Sequence, residues 1–450
     1  MSKILIKNGH VITADADATV LRGHDVLIED GRIAAIGADL AADGAEVIDA
    51  TEAIVMPGLI DTHMHMWEHA WRGLLVRKLG GPSYEDIFWP IRPAFTPKDT
   101  YESTLGCGLE MIDHGVTGVL DFFHGANSTS EHADAAAEAH QRSGQRVLLA
   151  YGMTAAYNIE DDALFEKARR ERLEDFVRLR AEHPDQDAPL QIGLALATPR
   201  PKFFEGFVEE LTRARSLGAQ MSFHANEIGE FMAMHERGLL GPDIVPSHGN
   251  RASDRELGFL AETGVVLSIS PQTETSSGKS LAVVNRAMRA GVDIAIGIDT
   301  PPSIMPLNLF AQMRSLFTYL TLLDNQAARE GGRFPIDLKL DPPTASLDDV
   351  FATATVKGAK ALGLGDRLGT IETGKLADVI VVRPHDPDVT LADPVAYAVL
   401  STPGKHEVEA VVIDGVVKKR DGRLVDVDPR EVRAMNREVR QRVLTAIGRA

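Results

Sequence analysis

Eight short apolar runs, alternating with stretches of helical spacing, set the strongest limit on how this chain of 450 residues folds. The runs are Ala53–Ile60, Gly118–Phe122, Arg146–Tyr151, Gln191–Ala197, Gln220–His224, Asp243–His248, Val265–Ser270 and Asp293–Ile298. Between them, Pro97–His114, Glu160–His183, Phe203–Leu217, Ser253–Thr263 and Leu281–Ala290 carry Leu, Ala, Val and Phe at helical intervals. Strands that alternate with helices build parallel sheets covered on both faces. Eight such units in about 300 residues predict an α/β fold, a (β/α)8 TIM barrel. Asp243–His248 fits least well, because Pro242 and Pro246 interrupt it.

The ends of the chain have a different texture. Ile4-Leu5-Ile6, Val26-Leu27-Ile28 and Arg32–Ile36 are short alternating runs, and Asp30-Gly31 is a hairpin turn between the last two. The same texture returns in Ala377–Val382 and Val411–Val417, with Asp421-Gly422 as a further turn. Both ends are therefore expected to share one small β-sandwich domain, residues 1–55 and 366–428. The barrel spans 56–365, and a C-terminal helix, 429–450, serves packing or subunit contact.

Composition removes several functions. With 47 Lys plus Arg against 65 Asp plus Glu, the net charge of −18 repels phosphate backbones and anionic membranes, so no nucleic acid or membrane partner is expected. Cys107 is the single cysteine, which excludes an intrachain disulfide and any metal site built on several thiolates. Without a signal-like start or a bilayer-length apolar stretch, a cytoplasmic protein is expected.

In a TIM barrel the chemistry lies where the strands end. The first run leads into Asp61-Thr62-His63-Met64-His65, where imidazoles at i and i+2 share one face of an extended chain and can grip one cation. The fifth ends on His224, a third imidazole, followed at i+3 by Glu227, placed to handle protons without being a ligand. The sixth ends on His248. The eighth ends on Asp299, and a carboxylate closing an apolar strand needs a compensating partner, which a metal supplies.

These residues, in this order, resemble the amidohydrolase superfamily, in the cytosine/adenosine-deaminase-like branch that includes S-adenosylhomocysteine deaminases, guanine deaminases and triazine hydrolases. The resemblance rests on Val55–His65, Arg72-Gly73, His224 with Glu227, His248 before Asp254–Leu257, Ile269-Ser270-Pro271, the Asp299 strand, and Leu368–Asp378. It implies one divalent metal, zinc first and iron as the alternative, held by His63, His65, His224 and Asp299. Asp299 would also take a proton from the activated water. Glu227 would shuttle protons, and His248 would orient water or substrate. A bound metal brings its water towards a pKa of about 7, so hydroxide is available at neutral pH. No lysine ends the fourth run, which favours one metal over two.

The implied activity is hydrolysis of C–N bonds other than peptide bonds, foremost deamination of an aminated nitrogen heterocycle. The alternatives are displacement of chloride or an alkylamine, opening of a cyclic amide, or a non-catalytic scaffold, the last disfavoured because every ligand is present. A small-molecule substrate and a homodimer or larger homo-oligomer are expected. Trp67, Trp71, Arg72, His124 and Asn308 are candidate substrate contacts. Arg200 is another: it stands in Thr198-Pro199-Arg200-Pro201, where relatives carry Pro-His-x-Pro, and could meet an acidic substrate. His132, His140, His183 and His235 are expected to be solvated on helices.

Overall fold

The two textures of the sequence become two sheets. The structure is a computed structural model, and it describes residues 3–41, 43–73, 84–125, 129–152, 161–276, 282–303, 306–333, 343–386 and 389–449. Glu160 and Leu281, the expected starts of two helices, lie outside these residues, as do positions 1, 2 and 450.

The N-terminal part supplies β1 (Lys3–Ile12), β2 (Val20–Glu29), β3 (Arg32–Gly37), β4 (Glu46–Asp49) and β5 (Ile54–Pro57). The barrel strands are β6 (Leu59–Met64), β7 (Val116–Phe123), β8 (Arg146–Gly152), β9 (Leu190–Ala195), β10 (Met221–Ala225), β11 (Ile244–His248), β12 (Val266–Ile269) and β13 (Asp293–Ile296). The C-terminal part adds β14 (Val379–Val382), β15 (Val408–Ile413), β16 (Val416–Arg420) and β17 (Arg423–Leu424).

The end sheet has nine strands in the order β17-β16-β15-β14-β5-β1-β2-β3, with β4 beside β1. Its hairpins follow local sequence: Asp30 and Gly31, at φ 47° and 79°, form the left-handed pair that a tight β2–β3 turn requires. The sheet curls on itself, because Ile33 N–H donates to Lys375 O and Gly374 N–H to Ile33 O, tying β3 to the chain just before β14. Ile6, Val26, Ile28, Val55, Val379, Val381 and Val412 fill the apolar cluster this creates.

The eight barrel strands run in sequential order, every neighbouring pair parallel. Their side chains alternate between two cores. In β8, Val147, Leu149 and Tyr151 face the helices, while Leu148 and Ala150 face the barrel interior. Burial on both faces is why these strands read as continuous apolar runs. One expectation shifts and another holds. Ala53–Ile60 is not one strand, since Ile54–Pro57 belongs to the end sheet and the barrel begins at Leu59. The change of sheet falls at Gly58, where any side chain would run into Thr117. Pro246 does lie within a barrel strand, opposite Phe223, and on the other side β11 pairs with β12 only through Ser247 and Ser268, so the missing N–H costs little ladder.

The C-terminal helix Pro429–Ala446 buries Val439 and Val443 and packs against helix Pro97–Asp113, where Arg442 pairs with Asp99 and Glu102. The two sheets are joined by a buried ion pair. Arg146, which opens β8, donates from Nε and Nη2 to Asp378, just before β14, at 2.8 and 3.0 Å. Asp378 also accepts from Asp414 N–H. Both partners are almost fully enclosed. Removing one partner strands the other charge, so Arg146→Met is expected to cost about 3 to 5 kcal/mol of unfolding free energy in urea titration; an unchanged midpoint and slope would refute it.

Candidate metal centre

His63 lies near the end of β6 and His65 just past it, His224 lies in β10, His248 ends β11, and Asp299 follows β13. The backbone that carries them also closes the barrel: Asp299 N–H donates to His63 O at 2.7 Å, and His65 N–H donates to Asp299 O at 2.9 Å. The first and last strands can approach this closely because residue 297 is glycine; a Cβ there would sit 2.7 Å from the backbone N and O of His63. His248 and Asp299 both hold left-handed backbone, at φ 77° and 76°. That conformation costs energy in a histidine and is retained where the surrounding structure fixes it, typically at functional sites.

The outward nitrogens of three rings are engaged by neighbouring groups. His65 Nδ1 donates to Phe122 O at 2.9 Å, and His248 Nδ1 donates to the Glu274 carboxylate at 3.0 Å. His63 Nδ1 bonds to Ser247 Oγ at 2.9 Å. Bonds of this kind fix the tautomer and leave Nε2 to ligate. Inward, Nε2 of His63 and of His65 lie 3.5 and 3.4 Å from Asp299 Oδ1. The donor atoms fall into two overlapping sets, His63 with His65 and Asp299, and His63 with His224 and His248, each set within 4.8 Å.

Electrostatics suits a cation here. Burial, followed by the neighbouring imidazoles, keeps His224 neutral far below its ordinary range, and burial is also the main cause that lowers His63 to about 3. Burial opposes the Asp299 charge, yet the rings of His63 and His65 facing it hold its carboxyl well below the usual range. Burial likewise opposes charge on His65, but Asp299 and Glu68 raise it. His63 Nε2 is buried without a hydrogen-bond partner. A neutral lone pair with no partner, beside an ionised carboxylate and the neutral His224 imidazole, fits a borderline divalent cation.

The other expected site residues scatter. His124 lies against the cluster, its ring stacked on His65 at 3.8 Å, and it accepts from Trp67 Nε1 at 3.1 Å. Trp67 is wholly buried among Phe88, Phe95 and His124. Trp71, Arg72 and Asn308 have their partners outside the cluster. Trp71 packs near Phe95 under Arg440, Arg72 pairs with Glu110, and Asn308 caps helix Leu309–Glu330 while donating to Pro403 O. Glu227 is partly exposed and paired with Arg200 at 3.2 Å. His132 and His140 are not solvated. Both are buried, His132 on Phe95 O and His140 on the Asp121 carboxylate, because they occupy the barrel-facing side of helix Ser130–Ser143.

Several carboxylates escaped sequence reasoning. Glu274 holds His248, Asp61 accepts from the N–H groups of His63 and Ile298, and Asp121 accepts from Met66 N–H. Glu68 is fully buried between the hydroxyls of Tyr84 and Thr300. Asp61 and Asp121 lie within apolar strand runs, the one sequence signal that marks them.

A TIM barrel carrying imidazoles and a carboxylate at its strand ends defines a class of hydrolases. The chain matches the Amidohydrolase family over residues 54–418 and belongs to that family; it is a hydrolase acting on C–N bonds. It is 29% identical to a 5'-deoxyadenosine deaminase of Methanosarcina mazei, covering 96% of each chain. It is also 29% identical to a 5-methylthioadenosine/S-adenosylhomocysteine deaminase of Desulforudis audaxviator, covering 99% of this chain and all of the relative. Among solved structures, an adenosine deaminase from Xanthomonas campestris with bound zinc shares the fold at TM-score 0.78 and 22% identity, covering 99% of each chain. An atrazine chlorohydrolase from Arthrobacter aurescens complexed with zinc shares it at TM-score 0.79 and 24% identity, covering 97% of this chain and 99% of the other. Among the described residues no helix is long and apolar enough to cross a membrane.

Proposed function

We propose that the protein is a metal-dependent aminohydrolase that releases ammonia from an aminated nitrogen heterocycle, with adenosine-like nucleosides the first substrates to test. The observation that carries this reading is the convergence of His63, His65, His224, His248 and Asp299 at the strand ends, with the outer nitrogens of His63, His65 and His248 bonded outward. His63, His65, His224 and Asp299 would hold one divalent cation, zinc in the first instance. When bound, it supplies a hydroxide equivalent at neutral pH.

The chain supplies the proton handling. Asp299, held as a carboxylate by His63 and His65, accepts the proton lost from water. His248 is fixed by Glu274 with its Nδ1 protonated, so its Nε2 orients the attacking oxygen or the substrate. As oxygen bonds to the ring carbon, Glu227 carries the second water proton to the adjacent ring nitrogen. It then relays the proton held by Asp299 to the exocyclic nitrogen, so the C–N bond breaks with ammonia as the leaving group and both carboxylates are restored. Deamination of purine nucleosides is supported by the names of the relatives at 29% identity.

The test is ammonia release by purified, zinc-loaded protein against purine nucleosides, pyrimidines, pterins and triazines. Turnover in one ring class is expected. Silence in all four would remove the aminohydrolase reading in favour of another leaving group.

A further inference from the structure

The loops that leave β9 and β10 meet in an ion pair that the chemistry above does not require. Arg200 lies in the Pro-rich run after β9, and Glu227 stands three residues past His224. Arg200 Nε and Glu227 Oε1 form an ion pair at 3.2 Å, with the two side chains 48% and 40% exposed. Because β9 and β10 are neighbours in the barrel, the pair bridges adjacent loops on the rim where the strands end.

The charged neighbours of this pair, Glu256 and Lys202, have partners of their own. Glu256 accepts from Ser253 N–H, Ser253 Oγ and Met232 N–H. Glu230 is buried, and burial together with the charges of Glu227 and Glu256 pushes its carboxyl up to about 8, which leaves it neutral at pH 7. Lys202 pairs with Asp162. Arg200 thus brings a permanent cation to the rim of a chain with net charge −18, and its counter-ion is the group required at the reacting carbon.

Glu227 cannot hold Arg200 and deliver protons to a substrate at the same time. Half-exposed ion pairs are weak, and a guanidinium can take a planar oxyanion through two parallel N–H bonds. We infer that Arg200 sets substrate specificity: the substrate is an aminated heterocycle bearing an anionic group, carboxylate or phosphate, which takes Arg200 in exchange for Glu227 and releases Glu227 to the reacting carbon. The inference rests on the aminohydrolase reading above.

Matched substrates test it with the zinc-loaded enzyme. They are adenosine against adenosine-5′-carboxylic acid and adenosine 5′-phosphate, cytosine against 5-carboxycytosine, pterin against pterin-6-carboxylic acid, and melamine against N-carboxymethylmelamine. In the ring class that turns over, the anionic member is expected to have kcat/KM about 10- to 100-fold above the neutral one. The two anionic adenosine derivatives separate carboxylate from phosphate. Arg200→Met is expected to erase that ratio, and Arg200→Lys to keep part of it, since a cation remains without the fork. Equal or better turnover of the neutral member overturns the inference and leaves the aminohydrolase reading intact. So does an equal loss on both members in Arg200→Met, which would mean that the arginine serves only Glu227. Silence across every series overturns the aminohydrolase reading and this inference with it.

Discussion

Asp299→Asn protein is expected to be purified folded, with little bound metal and with ammonia release at background. Asparagine is the informative replacement for two reasons. It adopts the left-handed backbone at φ 76° more readily than alanine, and it preserves the N–H and C=O that close the barrel against His63 and His65. What it removes is the charge. His63 and His65 face Asp299 Oδ1 at 3.5 and 3.4 Å, and burial keeps His63 and His224 neutral, so the carboxylate is the anionic donor of the proposed ligand set. A divalent ion among neutral imidazoles alone loses its charge compensation in a buried site. Elemental analysis should show metal content down by roughly 10-fold or more, with the unfolding transition still cooperative. Stoichiometric zinc in the variant would take Asp299 out of the ligand set. The His63→Ala protein provides an independent check, because its loss also leaves Ser247 without its imidazole partner.

The barrel was legible because its strands are covered on both faces. Leu148 and Leu149 serve different cores, yet both must be apolar, so β8 stands out as a run. The end sheet was legible for the opposite reason, since alternation and Asp-Gly turns are local signals. The positions of His63, His65, His224 and Asp299 follow from the same logic, because a strand end in a parallel barrel is a known place in space. What the sequence hid was contact between distant segments. Glu274 reaches His248 across 26 positions, and Glu68 reaches Thr300 across 232. No spacing rule links such pairs. Periodicity also failed where one helical face carries histidine: His140 looks like a surface residue until Asp121, itself inside an apolar strand, gives it a buried partner. Trp67 and Trp71 were attractive as ring-binding aromatics, but the turn at Met66–Trp71 directs both into the core.

Glu227→Gln should separate proton transfer from metal binding. Glutamine keeps the shape of the side chain and can still contact Arg200, but it cannot exchange a proton at neutral pH. Glu227 is partly exposed, pairs with Arg200, and has no place in either converging donor set, so metal content is expected to stay at the wild-type level. Turnover is expected to fall by about 10²- to 10⁴-fold, the range lost when a positioned general acid-base group is removed. The loss should appear in kcat with KM little changed, because the missing interaction is made only as the ring nitrogen and the leaving nitrogen gain protons. A loss confined to KM would instead place Glu227 in substrate binding, with Arg200 as its partner in that role. Full activity would move the proton relay to another group on the rim. Glu230, buried beside Glu227 with its carboxyl pushed up to about 8, is the one already protonated at pH 7. A Glu230→Gln protein measured alongside therefore assigns the relay: if Glu227 carries it, only the Glu227 variant loses kcat.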